Sequence, residues 1–166
     1  PHKYCLDKTH KSGSSFYYSF LFLPPEKRQA ITAIYAFCRE VDDIVDSDMP
    51  PDIASQKLQW WEQDVEKIYN DKQPEHPVNN AIKSLLPKYA FKKHILLEII
   101  QGMHMDLKYH GYKTADDLKL YCHCAASTVG MLAAEIFGYS NIKTLEYAQK
   151  LGLAFQLINI INLKIN

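Results

Sequence analysis

Apolar residues recur at spacings of three and four along most of this chain, and proline and glycine divide the pattern into segments. After an opening that runs to Gly13, the pattern predicts α-helices over residues 14–23, 25–47, 52–70, 77–86, 92–109, 114–138 and 144 to the end. Thr114 and Asp117 have the spacing of a capping box at the start of the sixth of these helices. The sequence contains no sustained two-residue alternation and no repeat of fixed period, so we predict an all-α fold.

The second predicted helix carries acidic residues on its apolar face. At about 100° per residue, the apolar stripe of this helix consists of Ile31, Ile34, Tyr35, Cys38, Val41 and Val45. Asp42 projects into the middle of the stripe, with Arg39 and Asp46 beside it. Asp43 lies at the edge, and Glu40 lies on the opposite side. Carboxylates that face a packed interior need a partner or a cation, and the negative end of the helix dipole adds to this cost.

Two further helices also turn polar groups inward. Asp106 projects into the stripe of the helix over 92–109, about one turn beyond Gly102, which removes bulk from that face as a cavity wall would. Gln156 and Asn159 share a face of the last helix with Gly152. Taken singly, each group has an ordinary structural explanation, such as an ion pair with Arg39 or a satisfied buried acid. Taken together, they favour a cavity that holds Mg²⁺ with phosphate oxygens supplied by a ligand.

The composition narrows the classes of protein. The chain has 166 residues, of which 47% are apolar, and its formal net charge is zero. We therefore expect one globular domain and no nucleic-acid partner. The four cysteines match no disulfide framework and indicate a reduced, cytosolic protein. Zinc at Cys122 and Cys124, with His104, His110 and His123 nearby, is not expected, because two thiols spaced in this way on one helix point about 200° apart.

Two apolar features lead to further expectations. The first is an aromatic run made up of Phe16, Tyr17, Tyr18, Phe20 and Phe22, which we expect to pack in the core. The second is the length of the apolar segments. None reaches the roughly 18–20 residues that a bilayer-spanning helix needs, so we expect a protein that is soluble or lies on a membrane surface.

Several long stretches resemble the squalene and phytoene synthases, which join two prenyl diphosphates head to head. They are SGSSFYYSFLFLPPEKRQAITAIYAFCREVDDIVD, KLQWWEQDVEKIY, IIQGMHMDLKYHGYKTADDLKLYCHCAASTVGMLAAEIFGY and TLEYAQKLGLAFQLINII. The resemblance implies an isoprenoid-synthase-type helical bundle around a central cavity. Residues 1–166 would form the N-terminal part of that bundle, as a single C-terminally truncated domain. Terpene cyclases and head-to-tail elongating synthases also use acidic motifs and Mg²⁺, but they lack the SSF and YCxxxAxTVG stretches.

The resemblance also implies roles for individual residues. Asp42 and Asp46, in one motif with Asp43, would hold Mg²⁺ on a substrate diphosphate, and Asn159 would begin a second metal region together with Gln156. The residues expected to contact diphosphate or line its pocket are Ser15, Phe16, Tyr35 and Arg39. Those expected in the central cavity are Asp106 and Tyr121, and those expected in the prenyl tunnel are Ala126, Val129 and Gly130.

The motifs most resemble the bacterial presqualene diphosphate synthases of the hopanoid route, with phytoene and dehydrosqualene synthases as alternatives. This resemblance implies two farnesyl diphosphates as substrates and two or three Mg²⁺ ions as cofactors. No nucleotide-binding motif is evident. The expected location is the cytoplasm, with peripheral contact to a membrane.

The sequence departs from the family after Asn159. The family continues with a second aspartate-rich motif, whereas residues 160–166 read IINLKIN and contain no acid. Ser127 also stands where the family usually has glycine. A non-catalytic, prenyl-diphosphate-binding relative therefore remains an alternative. We further expect exposed apolar stripes and a homodimer formed through them.

Overall fold

The structure is a computed structural model, and it describes residues 1–108, 112 and 114–165, with side chains to residue 162. It contains nine α-helices within these residues: α1 (His2–Lys11), α2 (Ser15–Leu21), α3 (Pro25–Val45), α4 (Pro51–Tyr69), α5 (Pro77–Leu85), α6 (Lys93–Lys108), α7 (Ala115–Cys122), α8 (Thr128–Phe137) and α9 (Lys143–Ile165). No strand occurs in the described part of the chain. The prediction of an all-α fold is confirmed. Tyr109 and Asn166, at the predicted ends of two helices, lie outside the described residues.

Helix α3 lies at the centre of the bundle. It contacts α1, α4, α5, α6 and α8, and nine of its 21 residues are buried. The largest of these, Phe37, packs edge-on against Trp61 of α4, with 5.6 Å between ring centroids. Because α3 is enclosed on several sides, its last turns are held in a fixed position relative to α1 and α6. These last turns carry the acidic motif.

The opening of the chain forms a helix that the hydrophobic pattern did not predict. Helix α1 packs against α3 and α5, and it buries Cys5 and Thr9, which lie one turn apart. These two small side chains are its only buried residues. The apolar signal was therefore too short to be recognised, and tertiary packing stabilises this helix.

The helix predicted over 114–138 begins as expected but is not continuous. Thr114 and Asp117 form the capping box, and a π-helical segment, His123–Ser127, separates α7 from α8. This segment packs against α6 and α9. A Cβ on Gly102 would lie 3.1 Å from the Cβ of Cys124. Gly102 is thus a point of close packing between α6 and the π segment, and its interpretation as a cavity wall was wrong.

A buried carboxylate fixes the connection between α4 and α5. The side chain of Asp64 is fully buried and accepts hydrogen bonds from the backbone N–H groups of Glu75 and His76 and from Nδ2 of Asn79. Burial alone would raise the pKa of Asp64, but these hydrogen bonds and Lys67 outweigh it and lower the pKa. The ring of His76 caps α5 by accepting from the N–H of Val78.

Not all apolar residues are covered. Helix α2 has no buried residue, and Phe16, Tyr18 and Phe22 are 60%, 64% and 91% exposed. The expectation that this aromatic run packs in the core was therefore wrong for these three residues, because α2 packs mainly on α3. Phe20 of the same run is partly buried against the core. Helix α9 also exposes an apolar stripe, consisting of Tyr147, Leu151, Phe155 and Ile158. The expectation of exposed apolar stripes is thus confirmed.

One stretch within the described residues, Ala115–Phe137, is long and apolar enough to cross a bilayer on length and composition alone. Core helices of soluble proteins meet the same criterion, and 39% of the most apolar window of this stretch is buried inside the protein. The stretch packs against α6 and α9. The expectation that no apolar segment reaches the length of a bilayer-spanning helix was therefore wrong on this criterion.

Candidate active site

The acidic motif at the end of α3 is organised by one arginine. Nη1 of Arg39 lies 2.5 Å from Oδ2 of Asp42, and Nη2 binds Oδ1 of Asp43. These pairs arise because residues three and four apart on a helix share a face. Burial alone would lower the pKa of Arg39, but Asp42, Asp43 and other acidic neighbours outweigh it and raise the pKa. The guanidinium therefore remains charged and bridges two carboxylates.

Acids of α3 and α6 lie within electrostatic range of one another. Burial raises the pKa of Asp42, and the charges of Asp46 and Asp106 raise it further, against the opposing effect of Arg39. Burial and the charge of Asp46 likewise raise the pKa of Asp106. Helices α3 and α6 pack against each other, so the acids near their C-terminal ends influence one another's protonation.

The space between these acids is more open than their positions in the sequence indicated. Asp42 is half-buried, whereas Asp46 and Asp106 are exposed. Asp46 is the C-cap residue of α3, and Asp106 lies beyond Met103, the last buried residue of α6. The expectation that Asp106 projects into the apolar stripe was therefore wrong, because the stripe ends one turn before it.

The oxygen atoms of the motif suit a hard divalent cation. Ligand oxygens of Asp42, Asp43 and Asp46 all lie within 4.8 Å of one another. In the described part of the chain, this is the only group of three or more His, Cys, Asp or Glu residues with ligand atoms so close. Carboxylate oxygens are the ligands that Mg²⁺ prefers. No ion pair to Asp46 or Asp106 occurs among the described residues.

Tyr121 of α7 extends the site. Burial and the charges of Asp106 and Asp42 raise the pKa of Tyr121 to about 12, so its hydroxyl keeps its proton. This hydroxyl accepts a hydrogen bond of 3.5 Å from Nε2 of Gln156. The ring of Tyr112 stacks on that of Tyr121, with 4.9 Å between centroids. Two of the predicted site residues, Tyr121 and Gln156, are thereby connected, and Asp106 and Asp42 act on Tyr121 through their charges.

Two of the residues predicted to contact diphosphate, Phe16 and Tyr35, lie against each other. The ring centroids of Phe16 and Tyr35 are 6.5 Å apart, and the hydroxyl of Tyr35 lies 3.2 Å from Oγ of Ser12. Ser15, the first residue of α2, is exposed. The structure thus brings Phe16 next to Tyr35, while Ser15 projects from the surface.

The residues predicted for the prenyl tunnel take part in the contact between α8 and α9. A Cβ on Gly130 would lie 2.5 Å from the carbonyl oxygen of Ala148, and one on Gly152 would lie 2.5 Å from that of Ala126. Val129 is half-buried against the core. Asn159 is exposed on α9, and no hydrogen bond within the described residues joins it to the acidic motif.

The cysteines do not form a metal site in the described part of the chain. All four are free, and neither Cys122 nor Cys124 belongs to a group of closely spaced ligand atoms. His110, which was considered with them, lies outside the described residues.

Sequence reasoning missed a second basic residue at the acidic motif. Lys8 of α1 lies 2.8 Å from Oδ2 of Asp43 and 3.1 Å from Oε1 of Glu40. The hydroxyl of Tyr4, one turn earlier on α1, donates to the same Glu40 oxygen at 2.7 Å. Because α1 was not predicted, the sequence contained no signal that would place these side chains beside α3.

This fold and these acids define a class of protein. Carboxylates on neighbouring helices of a bundle can together hold divalent metal ions. A family model described as squalene/phytoene synthase matches residues 9–162. The chain therefore belongs to the squalene/phytoene synthase family of prenyltransferases, and the resemblance seen in its motifs is confirmed.

Individual relatives agree with this assignment. The chain is 38% identical over 151 residues to a presqualene diphosphate synthase of Sinorhizobium fredii, covering 90% of this chain and 53% of the relative. It is 32% identical over 170 residues to a phytoene synthase of Arthrospira platensis, covering 95% and 55%. The chain thus spans about half the length of the curated relatives it matches.

Solved structures show the same fold. A dehydrosqualene synthase bound to a ligand superposes with a TM-score of 0.84 at 30% identity, covering 96% of this chain and 55% of the other. A squalene synthase from Alicyclobacillus acidocaldarius superposes with a TM-score of 0.84 at 25% identity, covering 95% and 59%. The helical bundle described above is therefore the bundle of this family.

Proposed function

We propose that this chain binds farnesyl diphosphate through a metal site and takes part in the head-to-head condensation of two such molecules, giving presqualene diphosphate. The observation that carries the proposal is the acidic motif of α3, in which ligand oxygens of Asp42, Asp43 and Asp46 lie within 4.8 Å of one another. The presqualene diphosphate synthase at 38% identity supports this choice of substrate and product.

The residues of this site can then be given roles. Asp42 and Asp46 would hold two or three Mg²⁺ ions, with Asn159 of α9 as a further oxygen ligand, while Asp43 of the same motif is paired with Arg39 and Lys8. When bound, these ions neutralise the diphosphate and stabilise the charge that leaves with it. Arg39 would add a fixed positive charge that also stabilises the departing diphosphate. Ser15, Phe16 and Tyr35 would orient the diphosphate.

The remaining residues would act on the prenyl part of the substrate. The protonated hydroxyl of Tyr121 can donate a hydrogen bond to a departing oxygen while it accepts one from Gln156. The side chains of Ala126 and Val129, together with Gly130, would bound the hydrocarbon chain. Their apolar surface would keep water from an allylic cation.

Metal-dependent binding of a non-hydrolysable farnesyl thiodiphosphate tests this proposal. Calorimetry is expected to show binding with Mg²⁺ and a large loss of affinity without it. Asp42→Asn should weaken binding roughly tenfold or more, because it removes a charged contact at the centre of the site. Asp7→Asn, which alters an exposed acid of α1, should leave binding unchanged. Equal binding with and without Mg²⁺ would contradict the proposal.

Product analysis separates the alternatives. Incubation with farnesyl diphosphate and Mg²⁺ is expected to give a cyclopropyl C30 diphosphate. A dehydrosqualene or phytoene synthase would instead give a diphosphate-free hydrocarbon, and the phytoene synthase relative at 32% identity keeps this alternative open. Metal-dependent binding with no product would favour a non-catalytic binding protein, consistent with residues 160–166 lacking an acid.

The cellular setting is also a proposal. Four free cysteines suit a reducing cytoplasm, and a water-insoluble prenyl product suits an enzyme at a membrane surface. Fractionation of cells that produce the protein should recover it from the cytoplasm and from salt-washable membranes. Recovery only after detergent extraction would contradict a peripheral location.

A further inference from the structure

A continuous chain of charged contacts joins helix α1 to the acidic motif. It runs from Glu40 to Lys8, from Lys8 to Asp43, from Asp43 to Arg39, and from Arg39 to Asp42. Lys8 and Glu40 are the more enclosed members, with side chains that are 23% and 15% exposed. The hydroxyl of Tyr4 holds Glu40 from the same helix. Two helices, rather than one, therefore determine where these charges lie.

Both carboxylate oxygens of Asp43 are occupied by cations. Oδ1 binds Nη2 of Arg39, and Oδ2 lies 2.8 Å from Nζ of Lys8. Asp42 differs, since only its Oδ2 pairs with Arg39. Asp46 differs further, since no cation of the described residues pairs with it. The three acids of the motif are thus in three different electrostatic situations, and Asp43 is the fully neutralised one.

Arg39 pairs with both Asp42 and Asp43, and the charge of Lys8 affects how strongly Asp43 attracts the guanidinium. With Lys8 present, Asp43 has a second cation, so the guanidinium is not its sole counter-charge. Without Lys8, Asp43 and Glu40 would each lose their ammonium partner, and Arg39 would be the nearest remaining cation. The guanidinium would then be drawn towards Asp43, and the surroundings would become more negative by one charge. Both changes oppose the binding of an anionic diphosphate.

We propose that Lys8 is a positioning residue of the diphosphate site: by neutralising Asp43 from α1, it leaves the guanidinium of Arg39 available to the ligand. The inference rests on the proposed function and deepens it, because it assigns a role to a helix that carries none of the predicted site residues. Lys8 acts through Asp43 and Arg39, and it need not touch the ligand itself.

Inorganic pyrophosphate with Mg²⁺ is the probe that tests this role, with binding measured by calorimetry on the complete chain. Lys8→Met should weaken binding roughly three- to tenfold, and Lys8→Arg should restore it. Lys3→Met removes the same charge from an exposed position of the same helix, and it should have no effect. A loss of affinity caused only by unfolding of α1 would be seen as a lowered melting temperature and would not be reversed by a second substitution.

Two double variants show whether Lys8 acts through its contact with Asp43 or only through the net charge of the protein. Lys8→Met combined with Asp43→Asn removes both members of the pair and should recover the wild-type affinity. Lys8→Met combined with Asp7→Asn restores the same net charge at an exposed site beside Lys8, and it should not recover the affinity. Equal recovery in the two double variants, or no recovery in either, would overturn the inference.

The outcome also separates this inference from the proposed function. If Asp42→Asn leaves Mg²⁺-dependent pyrophosphate binding intact, the proposed function fails, whatever Lys8 does. If Asp42→Asn abolishes binding while Lys8→Met matches the wild type, the proposed function stands and the positioning role of Lys8 is refuted.

Discussion

At the scale of single residues, His76 shows how a titratable group can serve the fold rather than the site. Its Nδ1 accepts from the N–H of Val78, which requires that nitrogen to be unprotonated. Its ring lies 4.4 Å from that of Trp61 and 5.4 Å from that of Tyr4, measured between centroids. Burial lowers the pKa of His76, against the smaller opposing effects of Glu40 and Asp64. The folded protein therefore holds the neutral form.

This shift predicts a dependence of stability on pH. Because the pKa is lower in the folded state, the unfolded chain binds the proton more tightly, and stability falls as pH decreases below about 6.5. Above that value His76 contributes no further change. His76→Asn keeps a capping side chain and should reduce the slope of the unfolding free energy between about pH 6.5 and 5. Urea unfolding across this range measures the slope, and an unchanged slope in the variant would contradict the assignment.

The sequence predicts some of the side-chain contacts at this site and not others, and the reason differs from residue to residue. Asp42 and Arg39 were placed together correctly, because helical spacing of three fixes their contact. Lys8 and Asp43 were not, because their contact joins residues 35 positions apart on different helices. Asp46 was expected beside the apolar stripe, yet it is exposed because α3 ends at Val45.

At the scale of elements, two glycines set the distance between the helices that follow the acidic motif. Gly130 of α8 faces the carbonyl of Ala148, and Gly152 of α9 faces that of Ala126. Both contacts are with backbone atoms, which cannot rotate away as a side chain can. The π segment lies between α7 and α8, so these contacts also fix where the chain turns after Tyr121.

Gly152→Ala should therefore destabilise the protein, although alanine is the better helix former by about 1 kcal/mol. The added Cβ would lie 2.5 Å from a carbonyl oxygen, and overpacking of this kind costs roughly 1–3 kcal/mol. The exposed Ala154 of the same helix provides the comparison. Ala154→Gly should cost only the helix-propensity difference of about 1 kcal/mol. Denaturant unfolding measures both, and a stabilised Gly152→Ala variant would show that the contact is not rigid.

The helices could be predicted where the three- and four-residue spacing of apolar residues continues over many positions. Pro25, Pro51 and Pro77 begin α3, α4 and α5, close to where the sequence placed those starts. The π segment could not be predicted, because its five residues continue the apolar pattern of α7 and α8. Helix α1 was missed because its two buried side chains are small.

At the scale of the whole molecule, helix α9 presents an apolar stripe that nothing in the described residues covers. Tyr147, Leu151, Phe155 and Ile158 recur every three or four positions and are 66%, 41%, 59% and 53% exposed. Contiguous exposed apolar surface of this kind is typical of sites that bind another protein surface. The all-α bundle could be predicted from the sequence. The exposed fraction of this stripe could not, because it depends on how α9 packs against the other helices.

We predict that the 166-residue chain self-associates through this stripe. Sedimentation velocity at tens of micromolar should show an average mass that rises with concentration, because association removes the stripe from water. Phe155→Ser combined with Ile158→Ser should shift the chain towards monomer. Ile53→Ser, at a partly exposed apolar residue of α4, should not. A single monomeric species at these concentrations would refute the prediction.

The acids of the site come from α3 and α6, whose nearest members are separated by 60 positions, and they approach one another only once the bundle has assembled. A ligand that bridges them has no equivalent partner in the unfolded chain, so its binding energy appears as added resistance to heat. Candidate diphosphates can consequently be ranked by how far each raises the melting temperature in the presence of magnesium, before any product has been identified.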